Sequence, residues 1–197
     1  MGLSPQQSKS NHEDLLDIIN NCFKDPPEIK QRFIEFLNES DFWRAPASTV
    51  YHESFEGGLV AHSLKVYENL SLLNYIKVLG FSEETVAKVS ILHDLCKVNF
   101  YRKTIKNKRM EDGTWVRTEG FEVNDQFPMG HGEKSAIIAL QHHISLTEEE
   151  LLAIRWHMGA YGPESKDYIA GKGLSNAMNN SKLVVALQLA DMMSTYL

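Results

Sequence analysis

The sequence predicts an all-α bundle interrupted by one small β-hairpin at about residues 100–120. Three observations carry this. Apolar residues recur at helical spacing through most of the chain. One stretch, Val98–Gly130, drops that spacing and centres on Asp112-Gly113, a hairpin turn signal. Hydrophobic residues make up 43% of 197 residues, enough for a full core without disulfide or metal staples.

Residues 1–11 are polar and read as a flexible N-terminus, leaving 12–197 as a single helical domain. Leu15, Leu16, Ile18, Ile19, Cys22 and Phe23 form one face of a first helix, which Pro26-Pro27 ends. Pro27 suits the first position of a second helix carrying Ile29, Phe33, Phe36 and Leu37. Ser40–Gly58 is irregular and ends in a glycine pair that permits a sharp turn. A third helix runs from about Leu59 to Leu79, with His62 and Ser63 on its apolar face and Gly80 as its stop.

Ser82 followed by Glu83-Glu84 is a cap followed by acids at the positive end of a helix dipole. This fourth helix carries Val86, Val89, Leu92 and His93. After the hairpin, Gly130-His131-Gly132 opens a fifth helix to about His143, with Ala136, Ile137 and Leu140 inside. Thr147-x-x-Glu150 is a capping box for a sixth helix that Gly159 stops. Tyr161–Asn180, rich in Gly, Ser and Asn, reads as a loop covering the functional site. The last helix, about Ser181–Tyr196, is strongly apolar yet contains Asp191.

Composition excludes several classes. A formal charge of −6 argues against a general nucleic-acid or anionic-membrane binder. No apolar run approaches the roughly 18–20 residues that span a bilayer, and the N-terminus lacks a signal-peptide core. Cys22 and Cys96 are far apart with no CxxC, which suits a reducing compartment and speaks against a thiolate zinc site. The reading is a cytoplasmic protein with no membrane partner.

Chemistry concentrates around Ile91-Leu92-His93-Asp94-Leu95-Cys96-Lys97. Burying such groups unpartnered costs several kcal/mol. An Asp94–Lys97 ion pair beside a satisfied core histidine is one answer; a shared metal ion is the other. Elsewhere His62, His131, His157 and Asp191 each interrupt an apolar pattern or open a helix. His62, His93, Asp94 and Asp191 would make one N/O site; His131 and His157, with Asp94 bridging, a second. With sulfur ligands absent, the expected cofactor is one or two divalent ions, Mn, Fe, Ni, Co or Mg ahead of Zn. Lys97, Arg102, Lys134, Arg155 and His52 are candidate substrate contacts. The basic hairpin (Arg102, Lys103, Lys106, Lys108, Arg109, Arg117) reads either as a solvated element or as a rim attracting a phosphorylated substrate.

The order His62, His93-Asp94, Asp191 resembles the HD superfamily of metal-dependent phosphohydrolases. The resemblance is closest to the HD domain of bacterial exoribonucleases. It runs through Tyr51-His52, Gly57-Gly58-Leu59-Val60-Ala61-His62-Ser63-Leu64, Leu92-His93-Asp94-Leu95-Cys96-Lys97, Gly130-His131, Arg155-Trp156-His157-Met158-Gly159 and Leu189-Ala190-Asp191-Met192-Met193. The family more often has Gly where this chain has Cys96. The resemblance implies an HD-type helical bundle over residues 12–197. It also implies hydrolysis of a phosphoester, with Asp94 and Lys97 as catalytic groups and His131 and His157 as the extra ligands of a binuclear centre. About fifty residues precede Tyr51 and read as helices, too few for the nucleic-acid-binding module those exoribonucleases carry. The expected substrate is therefore a small phosphorylated molecule, a nucleotide or short oligonucleotide. Tyr161-Gly162-Pro163 is not the Gly-Tyr-Pro triplet of cyclic-dinucleotide phosphodiesterases. The same ligand set also resembles that of di-iron oxygenases on this fold, and a non-catalytic metal-binding module is a third reading. The sequence leaves the oligomeric state open.

Overall fold

The computed structural model describes residues 2–50, 53–162 and 168–197. The helices are α1 (Pro5–Cys22), α2 (Pro27–Glu39), α3 (Gly58–Lys77), α4 (Glu83–Leu92), α5 (His131–Gln141), α6 (Glu148–Trp156), α7 (Tyr168–Asn180) and α8 (Lys182–Tyr196). Between α4 and α5 stand β1 (Tyr101–Arg109) and β2 (Trp115–Val123). They pair antiparallel from Tyr101 opposite Val123 to Arg109 opposite Trp115. The all-α architecture with one inserted hairpin is as the sequence predicts.

Side-chain caps fix the starts of α1, α4, α6 and α8. Ser82 Oγ accepts from the Thr85 N–H, and Thr147 and Glu150 form the predicted reciprocal capping box. Ser4 and Gln7 form a second such box, so α1 begins at Pro5, inside the stretch expected to be a flexible lead. Polarity concealed that helix; a cap and a proline at its first position start it before the apolar face begins.

The core lies where α3 packs on α8, α4 and α1, and where α6 packs on α8 and α5. Leu59, Val66 and Leu70 of α3 meet Leu183 and Leu187 of α8 in one buried cluster with Leu92 and Ile154. Burying each such aliphatic side chain contributes about 1.5–3 kcal/mol. In α5 the buried face is Ala136 and Ala139, while Leu140, expected inside, is 46% exposed.

The segment Tyr161–Asn180 departs most from expectation. From Tyr168 it is helix α7, not loop. Its glycines and asparagines are poor helix formers, but Leu174 and Ala177 are buried, and Met178 packs against the core. A side chain at Gly173 would sit 3.2 Å from the Trp156 ring. Packing against α6 and α8 overrides local propensity here. Tyr51, His52 and residues 163–167 lie outside the described residues, so the readings of His52 and of Pro163 fall there.

Candidate metal centre

α4 and α6 use one local device to aim a histidine. Each ends at an imidazole, His93 or His157, which forms the C-terminal cap. Carbonyls in the last turn of a helix lack intrahelical donors. His93 Nδ1 donates to Ser90 O at 2.9 Å, and His157 Nδ1 donates to Ile154 O at 2.7 Å. Donation from Nδ1 leaves each Nε2 with a lone pair pointing away from the helix.

His62, in the middle of α3, reaches the same state by another route. The Ser194 hydroxyl donates to Asp191 O at 2.7 Å, so its oxygen accepts from His62 Nδ1 at 3.1 Å. Ser194 and Asp191 are one turn apart on α8, so this helix orients the imidazole and supplies a carboxylate beside it. His131 is the first residue of α5. The next residue must be glycine, because a Cβ at Gly132 would lie 2.2 Å from Arg155 O and 2.5 Å from Ile154 O. That close approach of α5 to α6 brings His131 toward His157, with ring centroids 5.5 Å apart.

The donor atoms converge on Asp94. His62 Nε2 lies 3.1 Å from Asp191 Oδ1, 3.3 Å from His93 Nε2 and 3.5 Å from Asp94 Oδ2. His93 Nε2 is 3.4 Å from Asp94 Oδ2. The other oxygen, Asp94 Oδ1, is 3.0 Å from His131 Nε2 and 3.6 Å from His157 Nε2. Lys97 Nζ, carried on the turn Leu95–Lys97, is 2.5 Å from Asp94 Oδ2. His62, His93, Asp94 and His157 are at most 3% exposed.

These residues fit a cation. Three imidazoles present lone pairs to two carboxylates, and the buried His157 Nε2 has no hydrogen-bond partner. Ligands bonded at about 2.0–2.2 Å stand about 2.8–3.6 Å from one another, the separations seen here. His62–His93–Asp191 and His93–Asp94–His157 each bring their ligand atoms together within 4.8 Å. These groups could hold a divalent ion.

The local field attracts positive charge. Burial opposes charge on His93, yet Asp94 and Asp191 lift its imidazole above the usual range. Burial likewise opposes charge on His131, but the Cys96 sulfur and Asp94 raise it to about 10. Against the effect of burial, Lys97 and His93 hold Asp94 well below the ordinary carboxylate range. Asp191 is held well below it too, against the effect of burial, by the neighbouring imidazoles of His62, His93 and His157. Burial pushes His157 down, keeping it neutral and free to ligate.

Beside the cluster opens a cavity of about 650 Å³, lined by Asp94, Lys97, His131, His157 and Asp191 together with Tyr101, Tyr161, Gln188 and Met192. Of the residues expected at the site from sequence, His62, His93, Asp94, Lys97, His131, His157 and Asp191 are brought together. Lys97 keeps its ion pair with Asp94 and lines the cavity as well. Lys134 stands nearby but is held by Asp125 at 2.6 Å. Arg102 pairs with Glu122 on the hairpin and Arg155 with Glu133, and neither lines the cavity. The sequence reading expected no sulfur at the site, and the structure brings one near. The turn after Asp94 puts Cys96 Sγ 3.2 Å from His131 Nε2, and Asp94, Cys96 and His131 form a third convergent group.

Sequence reasoning missed the orienting partners. Ser90 O and Ile154 O are backbone atoms that no side-chain pattern reveals. Ser194 carried a signal, standing one turn after an aspartate on an apolar helix. Glu53, with Oε2 3.8 Å from His62 Nδ1, lies in an irregular segment without periodicity.

No curated protein and no solved structure gives a significant match to the chain. The HD domain matches residues 59–196, from the second residue of α3 to the end of α8, and so spans every ligand described. The chain therefore belongs to the HD-domain family, whose members are generally metal-dependent hydrolases.

Proposed function

We propose that this protein is a metal-dependent phosphohydrolase that cleaves a phosphoester of a nucleotide or another small phosphorylated substrate. The observation that carries this reading is the convergence of three lone-pair imidazoles and two carboxylates on a space that opens into the 650 Å³ cavity. His62, His93, Asp94 and Asp191 would hold one ion, and Asp94, His131 and His157 a second. A divalent ion there supplies charge neutralisation of phosphoryl oxygens and activation of water. Asp94 presents one oxygen to each half of the ligand set and would serve both ions. Lys97 balances charge on the Asp94 side and faces the cavity, where its ammonium stabilises the phosphate in the transition state. Tyr101, pushed up to about 12 by burial, remains a neutral hydrogen-bond donor at the cavity wall. Arg102, Arg155 and Lys134 do not line the cavity and Lys97 does, so Lys97 is the phosphate contact this reading retains.

The likeness of the motifs to exoribonuclease HD domains puts short oligonucleotides on the substrate panel. No helix among the described residues is long and apolar enough to cross a membrane. The test is hydrolysis by protein loaded with Mn²⁺, Ni²⁺ or Fe²⁺, read as phosphate released from phosphomonoesters and nucleotides and as nucleoside monophosphate formed from cyclic nucleotides and short oligonucleotides. Asp94→Asn is expected to lower activity by at least about 10²-fold, the scale of losing one transition-state stabiliser. Oxygen uptake by the ferrous protein with a coupled di-iron signal, and no hydrolysis, would overturn the reading. So would inactivity on the whole panel.

A further inference from the structure

The six nitrogen and oxygen ligands leave one donor at the site unexplained. Cys96 Sγ stands 3.2 Å from His131 Nε2, which itself stands 3.0 Å from Asp94 Oδ1. Hydrogen bonding satisfies only one of these two contacts. A single imidazole nitrogen either donates a proton to the carboxylate or accepts one from the thiol. A cation satisfies sulfur, nitrogen and oxygen at once.

Two further observations bear on the same point. The buried His157 Nε2 has no hydrogen-bond partner and is aimed at the same carboxylate oxygen, 3.6 Å away. Cys96 is also held in place: its N–H donates to Ser135 Oγ at 3.0 Å, the residue is 2% exposed, and the Leu95–Lys97 turn sets its direction. A separate cleft of about 210 Å³ is lined by Cys96 and His131 together with Asp125, Met129, Lys134 and Met158.

We propose that Cys96 is a direct sulfur ligand of the ion held by Asp94 and His131, making that position a site for a borderline-soft divalent ion such as Zn²⁺, Co²⁺ or Fe²⁺ in preference to Mg²⁺. The inference rests on the metal-centre reading above. Sulfur binds as the thiolate, its proton passing to solvent on coordination. Thiolate ligation selects soft and borderline metals, whereas a carboxylate-and-water shell suits Mg²⁺ and Mn²⁺. The residue at position 96 thus sets which metal the second position takes.

The test uses the full chain loaded with Co²⁺ or Zn²⁺, with bound ions counted by elemental analysis. The Co²⁺ protein is expected to show a near-ultraviolet thiolate-to-cobalt charge-transfer band. The Zn²⁺ protein is expected to show a sulfur scatterer at about 2.3 Å in X-ray absorption. Cys22→Ser should keep both signals. Cys96→Ser should lose both and weaken Zn²⁺ binding by at least about tenfold, as ligand-environment changes do. Bound ions without band or sulfur shell in the unaltered chain would overturn the inference and leave the metal centre standing. A chain that binds no ion would overturn both. If Cys96→Ser fails to fold, the absorption spectrum of the unaltered chain decides alone.

Discussion

Helix α4 feeds two buried polar clusters, and they differ in a way that separates structure from function. One turn into the helix, Lys88 Nζ lies 2.8 Å from each of Asp25 Oδ2, Glu84 Oε1 and Ser145 O. Ser145 O accepts a hydrogen bond from this ammonium, and the two carboxylates pair with it as ions. At the other end, His93 and Asp94 enter a cluster in which lone pairs and carboxylates outnumber protons, and Lys97 is the one ammonium, among the described residues, paired with Asp94. The first cluster already holds its cation, Lys88, and ties the α1–α2 and α5–α6 connections to α4. The second is complete only with a cation. Burial alone does not mark a site; the balance of donors and acceptors does.

The comparison breaks most visibly at Lys88. Lys88→Ala strands Asp25 in the interior and should cost about 3–5 kcal/mol, read by urea unfolding, with the number of bound ions unchanged. Its pH dependence follows from the directions of shift. Lys88 is raised by its two carboxylates against burial, so its contribution persists through neutral pH and is lost only above its raised value. Burial acts to raise Glu84, but the hydrogen bond from Lys88 lowers it overall, so its contribution is present above the usual carboxylate range and is lost as pH falls through that lowered value. The cost of Lys88→Ala should therefore stay level between about pH 5 and 9 and shrink in acid.

A smaller effect should appear at Ser194. Ser194→Ala frees His62 Nδ1 and should weaken metal binding about 10–100-fold, as outer-shell changes do, with little loss of stability in the chelated protein. Calorimetric titration with Mn²⁺ or Ni²⁺ reads the first, and thermal unfolding the second. Equal loss in chelated and metal-loaded protein would assign Ser194 to packing alone.

The smallest effect on stability is expected at His157. His157→Leu removes an unsatisfied buried nitrogen but also the donor to Ile154 O, two terms of about 1–3 kcal/mol each and of opposite sign. Chelated protein should change by less than about 1 kcal/mol while losing affinity for an ion. Destabilisation without change in metal binding would place His157 with Lys88, as a structural group.

Much of this contrast could be read from the sequence because it lies in polar residues that interrupt apolar periodicity. His62 and Asp191 stand inside buried helices, and His93 and His157 end them, so each broke a pattern set by its neighbours. Ser82, Thr147 and Pro27 announced helix starts because caps act locally. What escaped depends on tertiary contact. Helix α7 forms despite Gly171 and Gly173 because Leu174 and Ala177 find a partner surface. Arg102 and Arg155 are near ligands in sequence, yet the hairpin and α5 offer them Glu122 and Glu133 first. Cys96 gave no spacing signal because its partner, His131, comes from another helix across the hairpin.

The central claim is that the His–Asp cluster lacks only a cation. Thermal unfolding of chelated protein, with and without Mn²⁺, Ni²⁺ or Fe²⁺, and with bound ions counted by elemental analysis, tests it directly. One or two ions per chain should bind, and free ion at 100 times its dissociation constant should stabilise the fold by about 2.7 kcal/mol, an effect absent in His62→Ala. A chain that retains no ion and melts identically with and without metal would contradict the account.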